Sequence, residues 1–142
     1  MKNLKASLRG VSVEQFATLF EPASSDRIEL ELTIPVKTNY DERSFAIGAN
    51  IQYLEDGKPF MVAEAFCHYI IEKECWDTLS ENSTKNAIIP GETMDNLTRI
   101  SVSTLRGIIC AKTENTPFSK FFLPLLEIDP SGDGEDFVIA KA

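Results

Sequence analysis

The sequence predicts an α+β fold: an antiparallel sheet of about four strands packed with one long helix. Three observations predict it. Two runs, residues 27–36 and 45–53, alternate apolar and polar side chains with a period of two. An Asp56-Gly57 pair separates the second run from a third at residues 60–71, the signature of a tight hairpin. Residues 94–112 then place Met94, Leu97, Leu105 and Ile108 at helical spacing.

Taken in order, residues 4–8 alternate weakly and read as a first strand. Val13, Phe16, Leu19 and Phe20 fall at mixed spacing, which fits either a short helix or more of that strand. Residues 21–26 have loop composition. In the next strand Ile28, Leu30, Leu32 and Ile34 share one face, with Glu29, Glu31 and Thr33 on the other. Pro35 marks its end or an edge, because proline has no N–H to give to a ladder. In the strand that follows, Phe45, Ile47, Ala49, Ile51 and Tyr53 share a face.

The run at 60–71 is apolar on both sides. Phe60, Val62, Phe66 and Ile70 fall on one face, and Met61, Ala63, Ala65, Cys67, Tyr69 and Ile71 on the other. Both faces therefore need cover. One helix shields one of them, and a second copy of the chain is the expected cover for the other.

Residues 72–91 are mostly polar, with Trp76 and Leu79 as anchors, and Pro90-Gly91 breaks the chain. The helix follows, with a weak Thr93/Asn96 cap. Gly107 in its interior is expected to permit close packing on the sheet or on a partner helix. Pro117 bounds the helix. Residues 118–126 are apolar, residues 127–136 read as a solvated linker, and residues 137–140 as a short apolar end that docks or frays.

The chain has 142 residues, one domain's worth, and 43% are hydrophobic. A net charge of −8 opposes binding to nucleic acid and to anionic lipid, and favours basic partners. Three cysteines without a Cys-x-x-Cys motif read as free thiols in a reducing compartment. The first ten residues hold no apolar signal core, and no apolar run approaches 18 residues, so a soluble cytoplasmic protein is expected.

Strands, Pro90, a helix carrying Leu105-Arg106, Pro117 and then Leu123-Pro124 form a pattern that resembles the SecB-type protein-export chaperones. It covers roughly residues 27–128. The family places an aromatic-Pro-Tyr-Ala-Arg segment where this chain has Ser103-Thr104-Leu105-Arg106, and its second, C-terminal helix has no counterpart after Pro124. The resemblance implies a single SecB-like domain over residues 1–128 with an acidic, flexible tail at 129–142. It implies a holdase for unfolded or nascent polypeptides, assembled as a dimer of dimers. The SecA export motor, or an antitoxin of a toxin–antitoxin system, would be its partners. The same fold also fits a partner-binding module that is not a chaperone.

On that reading the groove candidates are Phe60, Phe66, Tyr69, Trp76, Phe118, Phe121 and Phe122, each of which ordinary core packing also explains. Phe121-Phe122 and Trp76 lead, since they sit in loop-like context. Glu64 falls where the family has an acidic residue facing the motor; a solvated glutamate is the plainer alternative.

No enzyme is expected. His68, the single histidine, lies mid-strand without a nucleophile elbow. Cys67 and His68 are strand neighbours on opposite faces, which disfavours a shared zinc ion. The pairs Asp41-Glu42 and Glu55-Asp56 are turn acids, the acidic tail lacks calcium-loop spacing, and no glycine-rich phosphate loop is present. Neither a metal nor a cofactor is predicted.

Overall fold

Strands β4 (Ser44–Glu55) and β5 (Lys58–Ile71) form the central hairpin. The turn between them needs left-handed backbone, and Asp56 (φ 49°) and Gly57 (φ 80°) supply it. The computed structural model describes residues 5–23, 27–80, 86–124 and 137–141. Strand β1 (Ala6–Thr18) pairs antiparallel with β5, and β2 (Ile28–Thr33) and β3 (Val36–Asn39) pair in succession with β4. Pro35 separates β2 from β3, and its carbonyl accepts from the Gly48 amide at 2.8 Å. The sheet order is β1-β5-β4-β2.

The segment of mixed spacing is strand throughout. Its ladder with β5 shifts register between Leu8 and Gly10 and again between Val13 and Gln15. Each bulge adds one residue and reverses the alternation. Leu8, Val11, Val13 and Phe16, spaced three, two and three apart, therefore pair with Tyr69, Cys67, Ala65 and Ala63 on a single face.

Helix α2 (Gly91–Thr113) crosses β4 and β5 on that face. It starts three residues earlier than its apolar spacing implied, with Pro90 rather than Thr93 or Asn96 at its N-cap. Val102, Leu105 and Ile109 pack on Ala49, Ile51, Tyr53, Met61, Ala63 and Ala65. Ser101, not Ile100, points inward: its hydroxyl donates to the Ile47 carbonyl at 2.8 Å, while Ile100 is exposed. Gly107 does not serve close packing within the chain. It is exposed, and a Cβ there would meet nothing within 4 Å.

The far end of the same face is covered by three elements absent from the four-strand, one-helix expectation. Helix α1 (Lys73–Leu79) buries Trp76, and β6 (Asn86–Ile89) pairs with β7 (Phe137–Ala140) as a separate ribbon. Trp76, Ala87, Ile89, Met94 and Ile139 cover Phe45, Ile47, Cys67, Tyr69 and Ile71. The apolar end at 137–140 docks. The linker expected at 127–136 lies outside the described residues.

The opposite face of the sheet needs no second copy to hide its aromatic ring. Gly48 leaves a gap on β4, and Phe66 on β5 fills it, only 2% exposed. The Lys37 ammonium lies 4.1 Å from the ring centroid and forms the roof. Around it, Glu31 and Thr33 of β2 pair with Gln52 and Asn50 of β4, and Ala46, Leu54 and Val62 are buried on the same face.

Candidate functional site

The seven aromatics predicted to line a groove divide into four groups. Phe60 and Phe121 lie in the core beside α2, with centroids 5.0 Å apart, and Phe60 also meets Tyr53, which was not a groove candidate. Alternation placed Phe60 with Val62 and Phe66. A bulge opposite Tyr53/Leu54 instead turns Phe60 into the helix-side cluster. Tyr69 and Trp76 are buried in the second cluster, where Trp76 meets Tyr40 edge-on at 5.0 Å. Phe66 lies on the other side of the sheet. Only Phe122, 61% exposed, and the half-buried Phe118 reach the surface.

Residues 117–124 are held against α2 by a defined set of bonds. Thr116 caps the 3-10 turn Pro117–Lys120: its Oγ1 accepts from the Phe118 amide at 3.1 Å and donates to the Thr113 carbonyl at 2.7 Å. Arg106 reaches from α2, with Nε donating to the Leu123 carbonyl at 2.7 Å and an η nitrogen to the Pro124 carbonyl at 2.9 Å. Phe121 and Leu123 point inward and Phe122 outward. Arg106-to-Pro124, read from sequence as part of a family pattern, is a physical contact.

Most of the exposed apolar surface of the sheet is on β1, with Leu30 of β2 as an addition, a feature absent from the groove residues expected from sequence. Leu8, Val11 and Val13 are 53%, 45% and 46% exposed, and Leu19 and Phe20 continue the exposed apolar run past the strand's end. Helix α2 packs on β4 and β5, so it leaves this line uncovered. Among the described residues, the outer edge of β1 has no strand partner. A 13-residue edge with bare backbone groups and an adjacent apolar line can accept an extended chain: the backbone pairs, and alternate side chains are buried. The signal in the sequence was the Leu8, Val11, Val13, Phe16 series, but its periodicity is hidden by the two bulges.

Glu64 lies on the opposite, polar face and accepts a hydrogen bond from Asn50 Nδ2 at 2.8 Å. His68 is on that face too, with Nε2 2.7 Å from the Ser12 hydroxyl, and Ser12 in turn donates to Glu14 at 3.1 Å. The serine stands between histidine and carboxylate. A hydrolytic triad needs the histidine in the middle, so this chain of bonds does not activate the hydroxyl. Cys67 points to the helix side, away from His68. Among the described residues no group of three or more His, Cys, Asp or Glu side chains is placed to hold a metal ion, and no helix is long and apolar enough to cross a membrane.

Two tyrosine hydroxyls, of Tyr53 and Tyr69, are buried with no hydrogen-bond partner among the described residues. Burial, reinforced by the neighbouring Cys67 thiol, pushes Tyr69 up to about 12. Burial does the same to Tyr53 more strongly, with the Cys110 thiol adding to it and the Arg106 charge opposing it.

No family model and no curated protein matches the chain. Among solved structures, the chain is similar to a Mycobacterium tuberculosis SecB-like chaperone in complex with a ChAD peptide from the HigA1 antitoxin, at 13% identity over 87% of this chain and 89% of that one, with a TM-score of 0.45.

Proposed function

We propose that this protein is a SecB-like chaperone that binds extended apolar segments of other polypeptides, and that β1 is its principal binding element. One observation carries the reading: a 13-residue edge strand that exposes Leu8, Val11 and Val13 beside unpaired backbone. Completing the burial of each of these side chains is worth roughly 1 kcal/mol. Backbone pairing along the edge adds register. The interaction requires no covalent chemistry and no cofactor, and it tolerates many client sequences, as holding unfolded chains demands.

The same edge is the natural seam for self-assembly. A homo-oligomer, as a dimer of dimers, would shield β1 in the absence of clients and protect it from uncontrolled pairing. Exposed Phe122 and half-buried Phe118 extend the client surface at the end of α2. Glu64, with Glu29 and Glu31 on the polar face of the sheet, offers an acidic surface to a basic partner such as an export motor. The cytoplasm, where unfolded and nascent chains and antitoxins occur, is the setting in which this activity has a use.

The test is suppression of aggregation of a denatured client, with mass in solution measured by light scattering on the same sample. Wild-type protein should hold the client. Val11→Lys with Leu8→Lys should lose most of that activity while keeping the same unfolding midpoint, because both side chains are exposed. A wild-type protein that holds no denatured client overturns the reading.

A further inference from the structure

We propose that the slot beside β6 that is filled by β7 is a second docking site for an extended apolar polypeptide segment, with β7 as its resident internal occupant. The inference rests on the polypeptide-binding reading above and adds a site and a competitor to it.

β7 pairs with β6 and not with the main sheet, through four residue pairs from Asn86↔Ala140 to Ile89↔Phe137. Its side chains alternate as a bound strand's would. Ile139 is fully buried against the second cluster and Phe137 is half-buried, while Val138 faces outward at 48% exposure. The receiving surface comes from elements far from β7 in sequence: Ala87 and Ile89 of β6, Trp76 of α1 and Met94 of α2 share the cluster with Ile139. The occupant, Phe-Val-Ile-Ala, carries no charge in a chain with 25% charged residues, and acidic residues 133, 135 and 136 precede it.

This is the recognition scheme of strand addition, in which main-chain bonds supply affinity and pockets for alternate side chains supply selectivity. An apolar strand with a branched aliphatic residue two places after an aromatic one satisfies the same contacts. Two-stranded ribbons are marginal on their own, so a four-residue strand can be displaced. An intramolecular occupant competes at an effective concentration on the order of mM, which sets the threshold an incoming segment must exceed. The slot would thereby discriminate against weakly apolar chains.

The experiment uses the full chain and a fluorescein-labelled peptide, Asp-Phe-Val-Ile-Ala-Lys, read by polarisation. Ile88 and Val138 are register partners, both exposed on the outer side of the ribbon. Ile88→Cys with Val138→Cys, in a background with Cys75→Ser and Cys110→Ser, locks β7 in place when oxidised. Oxidised protein should bind the peptide at least about tenfold more weakly than the same protein reduced. Ile139→Asp should release β7, raise peptide affinity by about tenfold over wild type and change the emission of Trp76, the single tryptophan. Equal binding by the oxidised and reduced lock overturns the inference, whether or not the Ile139 variant folds. A wild type that holds denatured clients while the lock changes nothing rejects the slot alone. A protein that holds no client in any form rejects the underlying reading and the slot with it.

Discussion

Gly48 and Phe66 interlock across the central hairpin: a Cβ on Gly48 would stand 2.7 Å from the Phe66 ring. The phenyl ring occupies the space a side chain on β4 would take. Gly48→Ala should cost about 1–3 kcal/mol by forcing the ring out of its seat. In a Phe66→Ala background the same substitution should cost almost nothing. Urea unfolding of the four proteins in this cycle measures the coupling, and additive costs would show that the contact is not what requires glycine.

Arg106 should matter more for local order than its half-exposed position implies. Its two bonds to the Leu123 and Pro124 carbonyls are charge-assisted. Arg106→Ala should lower stability by about 2 kcal/mol. Hydrogen exchange of the Phe121–Leu123 amides should accelerate more than that of the β4–β5 ladder. Arg106→Lys should recover less than half of the loss, since an ammonium lacks the fork that spans both oxygens.

The helix orientation makes a sharp contrast between two apolar residues five positions apart on α2. Leu105 is fully buried against the sheet and Ile100 is 46% exposed. Leu105→Ala should cost about 2–5 kcal/mol, and Leu105→Asp should abolish folding. Ile100→Asp should stay within about 0.5 kcal/mol of wild type. Thermal unfolding followed by circular dichroism distinguishes these outcomes.

Alkaline unfolding should report the buried tyrosines. The unfolded chain releases tyrosine protons near pH 10, whereas folded Tyr69 holds its proton up to about 12 because burial disfavours the phenolate. The stabilisation is whole below pH 10 and is lost as pH rises through 10 towards 12. Tyr69→Phe should flatten that part of the stability curve, and Tyr53→Phe should do likewise. At neutral pH both variants should match wild type or exceed it by up to about 1 kcal/mol, since each removes a buried hydroxyl without a hydrogen-bond partner. Unfolding midpoints measured from pH 7 to 12 check both statements.

What the sequence made legible follows where its periods stay clean. Ile28 to Ile34, Phe45 to Tyr53 and the Asp56-Gly57 turn alternate without interruption, and they are strands and a hairpin in the structure. β1 was ambiguous because bulges at Arg9 and Glu14 shift the alternation twice, so an apolar line on one face reads as no period at all. Phe60 was assigned to the wrong side for the same reason, one bulge away from Tyr53. α1 and the β6–β7 ribbon were missed because seven- and four-residue elements are too short for a period to emerge. Ribbon partners nearly fifty residues apart, Ile89 and Phe137, leave no local signal. The aromatic-rich list of groove residues drew on residue type, and aromatics mostly go to cores. The exposed line is aliphatic.

The pairing of β1 with β5 also has a consequence for how the chain is made. Ser12 must wait for Phe66, 54 residues further along, before its strand can close. At roughly 5–20 residues per second the ribosome leaves β1 without its partner for several seconds. Leu8, Val11 and Val13 are uncovered throughout that interval, before the hairpin that will receive them exists. For those seconds β1 is an unpaired apolar segment, and the order of synthesis, rather than the folded structure, sets how long it stays open to pairing with other chains.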